Sequence, residues 1–189
     1  MSKYNNIIRH FKGKRLLVIG DVVLDRYIKG SVTRISPEAP VPIVLQEESF
    51  YTPGGAANVA NNLVSLGADV TLVSKVGDDI EGSILKRELS KRHIHTRGIF
   101  TDAHIDTIFK TRIIAQHQQI VRLDREKPNR TGLDLIKEGK ILPFLRRHMK
   151  ELILLRSKKK NQSISKHLRH CTTRRLLLSD KYFQSPKIV

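Results

Sequence analysis

Cysteine is nearly missing from this chain: the single Cys171 rules out an intramolecular disulfide and argues against a cysteine-based zinc site, which fits a reducing compartment. Tryptophan is absent, and after residue 130 the aromatics are Phe144, Tyr182 and Phe183, so that region offers little for stacking on nucleic-acid bases. No apolar run approaches the roughly 18 residues of a membrane span. Leu16 to Ile19 is too short for a signal-peptide core, and the chain reads as cytoplasmic with no membrane partner. The dinucleotide fingerprint G-x-G-x-x-G is absent, which disfavours nicotinamide binding. Acidic residues thin out along the chain. There are 20 Lys and Arg against 14 Asp and Glu up to residue 130, but 15 against 4 beyond it, so most of the net +17 lies in the last third. Glycine also stops at Gly139. Composition therefore changes near Asn129 to Thr131.

What is present begins with Pro53-Gly54-Gly55-Ala56-Ala57-Asn58-Val59-Ala60, a double glycine opening into an amphipathic helix. Glycine lets the backbone pass close to a ligand, and the first turn of a helix presents unpaired N–H groups. Ala56, Val59, Ala60, Leu63, Val64 and Leu66 follow at helical spacing, and Gly67 stops the run. Upstream, Ile7, Ile8 and Phe11 suggest a short first helix, and Leu16-Leu17-Val18-Ile19 reads as a buried strand of a parallel sheet ending at Gly20-Asp21. Between Tyr27 and Phe50, short β-prone pieces are separated by Pro37, Pro40 and Pro42, a texture expected of a small edge or flap structure. Val70 to Val76 predicts a second core strand. Gly77-Asp78-Asp79 predicts a turn and helix cap, and Ile80 to Arg92 a helix with Ile84, Leu85 and Leu89 inward. Thr107 to Ala115 and Gln118 to Asp124 alternate as paired strands. Past Thr131, Leu135, Ile136 and Leu142 suggest part of a helix that Pro143 interrupts, followed by basic clusters at Arg156 to Lys160, His167 to His170 and Arg174-Arg175.

Four blocks in order carry a family resemblance: Val18-Ile19-Gly20-Asp21-Val22-Val23-Leu24-Asp25-Arg26-Tyr27, Arg34 to Pro42, Pro53 to Ala60, and Lys110 to Gln119 closed by Arg122-Leu123-Asp124-Arg125. They resemble the ribokinase (PfkB) carbohydrate kinases, and more narrowly the heptose-7-phosphate kinase domain of a bifunctional heptose kinase and adenylyltransferase of lipopolysaccharide core synthesis. The resemblance covers about residues 12 to 127. It implies an α/β fold, here an incomplete ribokinase-like parallel-sheet sandwich with a small β flap or lid. The expected organisation is a sugar-binding part at 1–130 with the flap at about 27–52, and a basic tail at 131–189 arising from truncation or a frameshift. Two phosphotransfer segments of the family, Asn-x-x-Glu and Gly-Ala-Gly-Asp, do not occur.

The resemblance implies ATP and Mg²⁺ as cofactors, with the ATP site expected to be missing here and no catalytic or metal residue assigned. It implies substrate-binding roles for Asp25, Arg34, Gly54, Gly55, Asn58, Lys110 and Arg112. The chemistry suits those roles. A carboxylate at Asp25 can accept several hydroxyl hydrogen bonds at the C-terminal side of a core strand, where ligands of open α/β sheets collect. Lys110 and Arg112 sit two apart on a strand, share a face, and match the charge of a sugar phosphate. His93-x-His95 lacks a third ligand and reads as solvated, and Asp78-Asp79 reads as a cap. The expected function is the sugar-phosphate-binding half of an ATP-dependent heptose-7-phosphate kinase, catalytically incompetent as this chain. The flap is a candidate homodimer contact. A noncatalytic or dimerisation module and a basic nucleic-acid binder are the alternatives.

Overall fold

The computed structural model describes residues 10–126, together with Gly139, positions 143, 144 and 147, and the backbone of Ile153–Arg156. The expected first helix at Ile7 and Ile8, the partial helix at Leu135, Ile136 and Leu142, and the basic clusters beyond Arg156 lie outside the described residues.

Among the described residues the strands form two four-stranded sheets. In chain order the elements are β1 (Arg15–Ile19), β2 (Val22–Ile35), β3 (Pro42–Gly55), α1 (Ala56–Ser65), β4 (Asp69–Gly77), α2 (Ile80–Lys91), β5 (His95–Asp102), β6 (Phe109–Ala115), β7 (Gln118–Arg125) and β8 (Ile153–Arg156). The first sheet has the order β5-β4-β1-β8 and every pairing in it is parallel. β1 carries the unbroken apolar run Leu16 to Ile19 and β4 is buried from Val70 to Ser74, as expected of strands covered on both faces, whereas β5 at the sheet edge is buried only at Gly98 and Ile99. Leu16, Val18, Val70, Leu72 and Val76 join Ala56, Ala60, Leu63, Leu85 and Leu89 of the two helices in one core. Leu17 and Val73, which point to the other face, are also fully buried. On that face Phe144 meets Phe100 edge-on with ring centroids 6.0 Å apart. A Cβ on Gly98 would come within 3.2 Å of the same Phe144 ring, so a larger residue there would crowd it.

The second sheet is the flap, and it is larger than the residue pattern suggests. Its order is β3-β2-β6-β7, with β2 and β3 each 14 residues long. They run antiparallel from Val22↔Gly55 out to Ile35↔Pro42. Pro37 and Pro40 lie in the hairpin loop, while Pro42 and Pro53 sit on β3, an edge strand where a missing N–H costs no ladder bond. β6 and β7 pair antiparallel as their alternation predicts. They belong to the flap, however, because β6 lies parallel to β2 from Leu24↔Phe109 to Gly30↔Ala115.

The helix termini follow local chemistry. Asp79 caps α2, its carboxylate accepting from Gly82 N at 2.7 Å, Thr107 N at 2.9 Å and Thr107 Oγ1 at 2.7 Å. Burial works against its charge, but the Thr107 and Gly82 donors prevail and hold its pKa below the ordinary carboxylate value. The Asp79 cap is the one expected from Gly77-Asp78-Asp79. His93 and His95 are both exposed, and His95 Nε2 lies 2.7 Å from Asp69 Oδ1.

Candidate sugar-phosphate site

Where β3 ends and α1 begins, the chain must turn sharply. Gly55 takes φ 59°, in the left-handed region that disfavours a side chain, and Ala56 N donates to Asp21 O at 2.8 Å. A Cβ on Gly55 would stand 2.5 Å from that same carbonyl. Gly55 is the N-cap of α1 and has no side chain to cap it, so the turn offers backbone rather than side-chain donors. Asn58 lies in the first turn and is exposed.

Asp25 lies beside this turn. It stands opposite Thr52 across the β2–β3 ladder, and a Cβ on Gly54 would run into its Oδ2. Glycine at 54 thus makes room for the carboxylate. The β2–β6 register places Lys110 beside Asp25 and Arg112 beside Tyr27. Laterally paired residues share a sheet face, so Asp25, Tyr27, Lys110 and Arg112 form one patch.

The patch is held by charge. Arg112 Nη1 donates to Asp25 Oδ1, with the two side chains 21% and 13% exposed. The guanidinium carbon also lies 5.3 Å from the Tyr27 ring centroid, and Tyr27 stacks on Phe50 at 5.2 Å. Burial alone would lower the pKa of Arg112, but the Asp25 carboxylate outweighs it and keeps the group charged more firmly than usual. Lys110 Nζ contacts Asp124 Oδ2 at 2.7 Å and Glu126 Oε2 at 3.3 Å. Asp124 is pulled below its ordinary pKa, first by Lys110 and then by Arg122.

Of the seven expected site residues, Asp25, Gly54, Gly55, Lys110 and Arg112 come together around the base of the flap, with Asn58 following on α1. Arg34 does not join them. It is exposed near the far end of β2, nine residues beyond Asp25, a separation of roughly 30 Å at about 3.3 Å per strand residue. Tyr27, Arg122 and Asp124 belong to the patch without having been expected there. For Tyr27 the usable signal was its i+2 spacing from Asp25 on a strand.

Opposite this face, Arg125 crosses from β7 to α2, its Nη2 meeting Glu81 Oε2 at 2.7 Å while its guanidinium lies over the Phe109 ring. This pair ties the flap to the helical layer. A shallow depression of about 450 Å³ opens at the start of α2, lined by Asp78, Asp79, Ile80, Ser83, Ile84 and Arg87. It lies away from Asp25, and the Asp79 carboxylate there is already engaged as a cap. Among the described residues no three His, Cys, Asp or Glu side chains group as metal ligands, and no helix is long and apolar enough to cross a membrane.

Solved structures share the fold. A putative phosphofructokinase from Staphylococcus aureus superposes with TM-score 0.59 at 15% identity, covering 78% of this chain and 45% of that one. An Arabidopsis thaliana ribokinase complexed with ribose and ATP gives TM-score 0.52 at 14% identity, covering 76% and 46%. Among curated sequences, the bifunctional protein HldE of Magnetococcus marinus is 52% identical over 118 residues, 62% of this chain and 24% of that protein. HldE of Helicobacter pylori strain HPAG1 is 49% identical over 139 residues, 74% of this chain and 30% of that protein. The chain thus spans 24% to 30% of the length of these relatives. A family model described as pfkB family carbohydrate kinase matches residues 14–153, continuing past residue 130, where the charge balance changes. With the match covering most of the chain and an α/β fold shared with sugar kinases, the protein belongs to the pfkB family of carbohydrate kinases.

Proposed function

We propose that this chain is the sugar-phosphate-binding half of an ATP-dependent heptose-7-phosphate kinase of ADP-heptose synthesis, and that it does not complete phosphotransfer alone. The observation that carries the reading is the convergence of Asp25, Gly54 and Arg112 at the start of α1. Asp25 is an acceptor for sugar hydroxyls, and glycine at 54 leaves the space its carboxylate needs. Arg112 and Lys110 supply the charge that a phosphate monoester requires. Each cation is paired with a carboxylate, so a bound phosphate would exchange one anionic partner of Arg112 or Lys110 for another.

ATP and Mg²⁺ would supply the transferable phosphoryl group and the charge that neutralises it. The described residues hold no metal-ligand cluster, and the sequence contains neither Asn-x-x-Glu nor Gly-Ala-Gly-Asp, so no phosphotransfer step is assigned to these residues. For the basic tail expected from residue 131, we propose that the departure from family sequence lies downstream of β8, since the family match runs to residue 153 and the strand to Arg156.

The test is a pair of measurements on the purified chain. Incubation with ATP, Mg²⁺ and heptose 7-phosphate should give no product above a no-enzyme control, because general-base and electrostatic contributions worth orders of magnitude are lost. Calorimetry should nevertheless detect heptose 7-phosphate, and Arg112→Ala should weaken it roughly tenfold while affecting unphosphorylated heptose less. Turnover abolished by Asp25→Ala would overturn the first claim, and equal losses for both ligands the second.

A dimerisation module is favoured by one further observation. Val121 and Leu123 on β7 are 41% and 58% exposed on the flap face opposite Arg112. Sedimentation across a concentration series tests it, with a monomer at all concentrations counting against it.

A further inference from the structure

The flap face that carries Arg112 contains a like-charge pair that the fold itself does not require. β6 and β7 pair with Lys110 opposite Asp124 and Arg112 opposite Arg122. Side chains directly opposite in an antiparallel ladder lie on the same face with Cβ atoms about 5 Å apart, and like charges there are destabilising. Together with the β2 register, this sets two rows across the face. One row reads Asp25, Lys110, Asp124 and alternates in sign. The next reads Tyr27, Arg112, Arg122 and holds two guanidinium groups with no carboxylate between them.

The two arginines are accommodated by reaching back into the first row. Arg112 donates to Asp25, and Arg122 Nε lies 2.9 Å from Asp124 Oδ1, while Asp124 Oδ2 meets Lys110 at 2.7 Å. One carboxylate, Asp124, thus bridges Arg122 and Lys110. Each of its oxygens serves one of the two cations, the role that an oxygen of a bound phosphate could take over. Departures from local electrostatic consistency of this kind concentrate at functional sites.

We propose that Arg122 completes a phosphate clamp with Arg112 and Lys110, that the ligand group is a phosphate monoester dianion, and that Asp124 is the placeholder it displaces. This rests on the kinase reading for the identity of the sugar, but the clamp itself is argued from the strand register. Two planar forks on adjacent strands can grip different oxygens of one phosphate, and the dianion balances the charge of the row. Arg122 is half-exposed, so it can reorient without breaking the sheet.

The test uses the full chain with three probes: inorganic phosphate, heptose 7-phosphate and unphosphorylated heptose, each titrated by calorimetry. Arg122→Gln should weaken both phosphate-bearing probes about tenfold and leave unphosphorylated heptose unchanged. Arg122→Lys should recover part of the loss, since it restores charge without the fork. Asp124→Asn should tighten phosphate several-fold by removing the internal competitor. Circular dichroism and the unfolding midpoint of each variant confirm the fold. If Arg122→Gln leaves phosphate affinity unchanged, or weakens all three probes alike, or if Asp124→Asn fails to tighten phosphate, the clamp is wrong. If heptose 7-phosphate then still depends on Arg112, the kinase reading survives. If inorganic phosphate binds in an Arg122-dependent way without preference for the sugar phosphate, the clamp stands and the kinase reading falls. Binding of no probe overturns both.

Discussion

The two sheets divide the work of the molecule between them. The parallel sheet is built from strands such as β4, whose residues from Val70 to Ser74 are all buried, whereas every residue of β7 in the flap is exposed. One sheet is therefore held by apolar burial on both faces. The other is held by its ladder, by ion pairs across the face that carries Asp25 and Arg112, and by the Arg125 to Glu81 link at its base. Apolar burial and the clustered ion pairs lie in separate layers. A substitution in the first should unfold the protein, and one in the second should change what it binds.

The sharpest way to break this contrast is Leu72→Ala in β4. Leu72 is fully buried in the core between sheet and helices, and the change should cost about 2–5 kcal/mol in denaturant unfolding. A cost near that of a surface change would show that the parallel sheet is not the stabilising layer. Gly54→Ala comes next, because its new methyl group meets the Asp25 carboxylate. Stability should fall by about 1–3 kcal/mol, and calorimetry should show heptose binding lost more severely than the unfolding midpoint suggests. Retained binding would remove Gly54 from the site.

A smaller effect tests a charge within the parallel sheet. The Asp102 carboxylate meets Lys75 Nζ at 2.7 Å, and the Lys75 hydrogen bond, helped by the His104 backbone N–H, lowers the Asp102 pKa from 3.8 to about 2. Because the folded value is the depressed one, this stabilisation is complete above about pH 4 and is lost as pH falls toward about 2. Thermal midpoints of the parent chain should drop across that window more steeply than those of Asp102→Asn, and identical slopes would refute the assignment. Leu123→Thr in the flap should give the smallest change of all. Leu123 is 58% exposed, and its replacement should shift stability by no more than about 0.5 kcal/mol in the monomer.

The same contrast explains what could be read from residues alone. β1, β4 and α1 announce themselves because burial imposes local patterns: an unbroken Leu-Leu-Val-Ile run, a second apolar run from Val70, and alanines and leucines at helical spacing behind Gly-Gly. Asp79 is equally visible, since a cap is chosen by its immediate neighbours. The length of β2 and β3 was not visible. Their outer halves are only half-buried or exposed, so the residues around Ile28 and from Val41 to Leu45 read as short β-prone pieces rather than as two 14-residue strands. Nor does any local signal show that β6 lies beside β2. That Asp25, Gly54 and Gly55 lie close together was legible because motif and strand end coincide there. Arg34 belonged to the same motif blocks, but strand length carries it away from the others. Arg122 and Asp124 enter only through cross-strand register.

The ion pair between Asp25 and Arg112 joins residues 87 positions apart, and that separation governs when this face of the flap can form. β6 can dock on β2 only after β3, α1, β4, α2 and β5 have been made between them, and closing so long a loop is entropically unfavourable until the intervening core has condensed. The hairpin of β2 and β3 and the helical layer can form from nearby contacts. On a ribosome, Asp25 emerges long before its partner and waits, solvated, until residue 112 has been made. The face built on Asp25 and Arg112 therefore forms only after the elements from β3 to β5 have been made, while the parallel sheet gains its last strand, β8, later still.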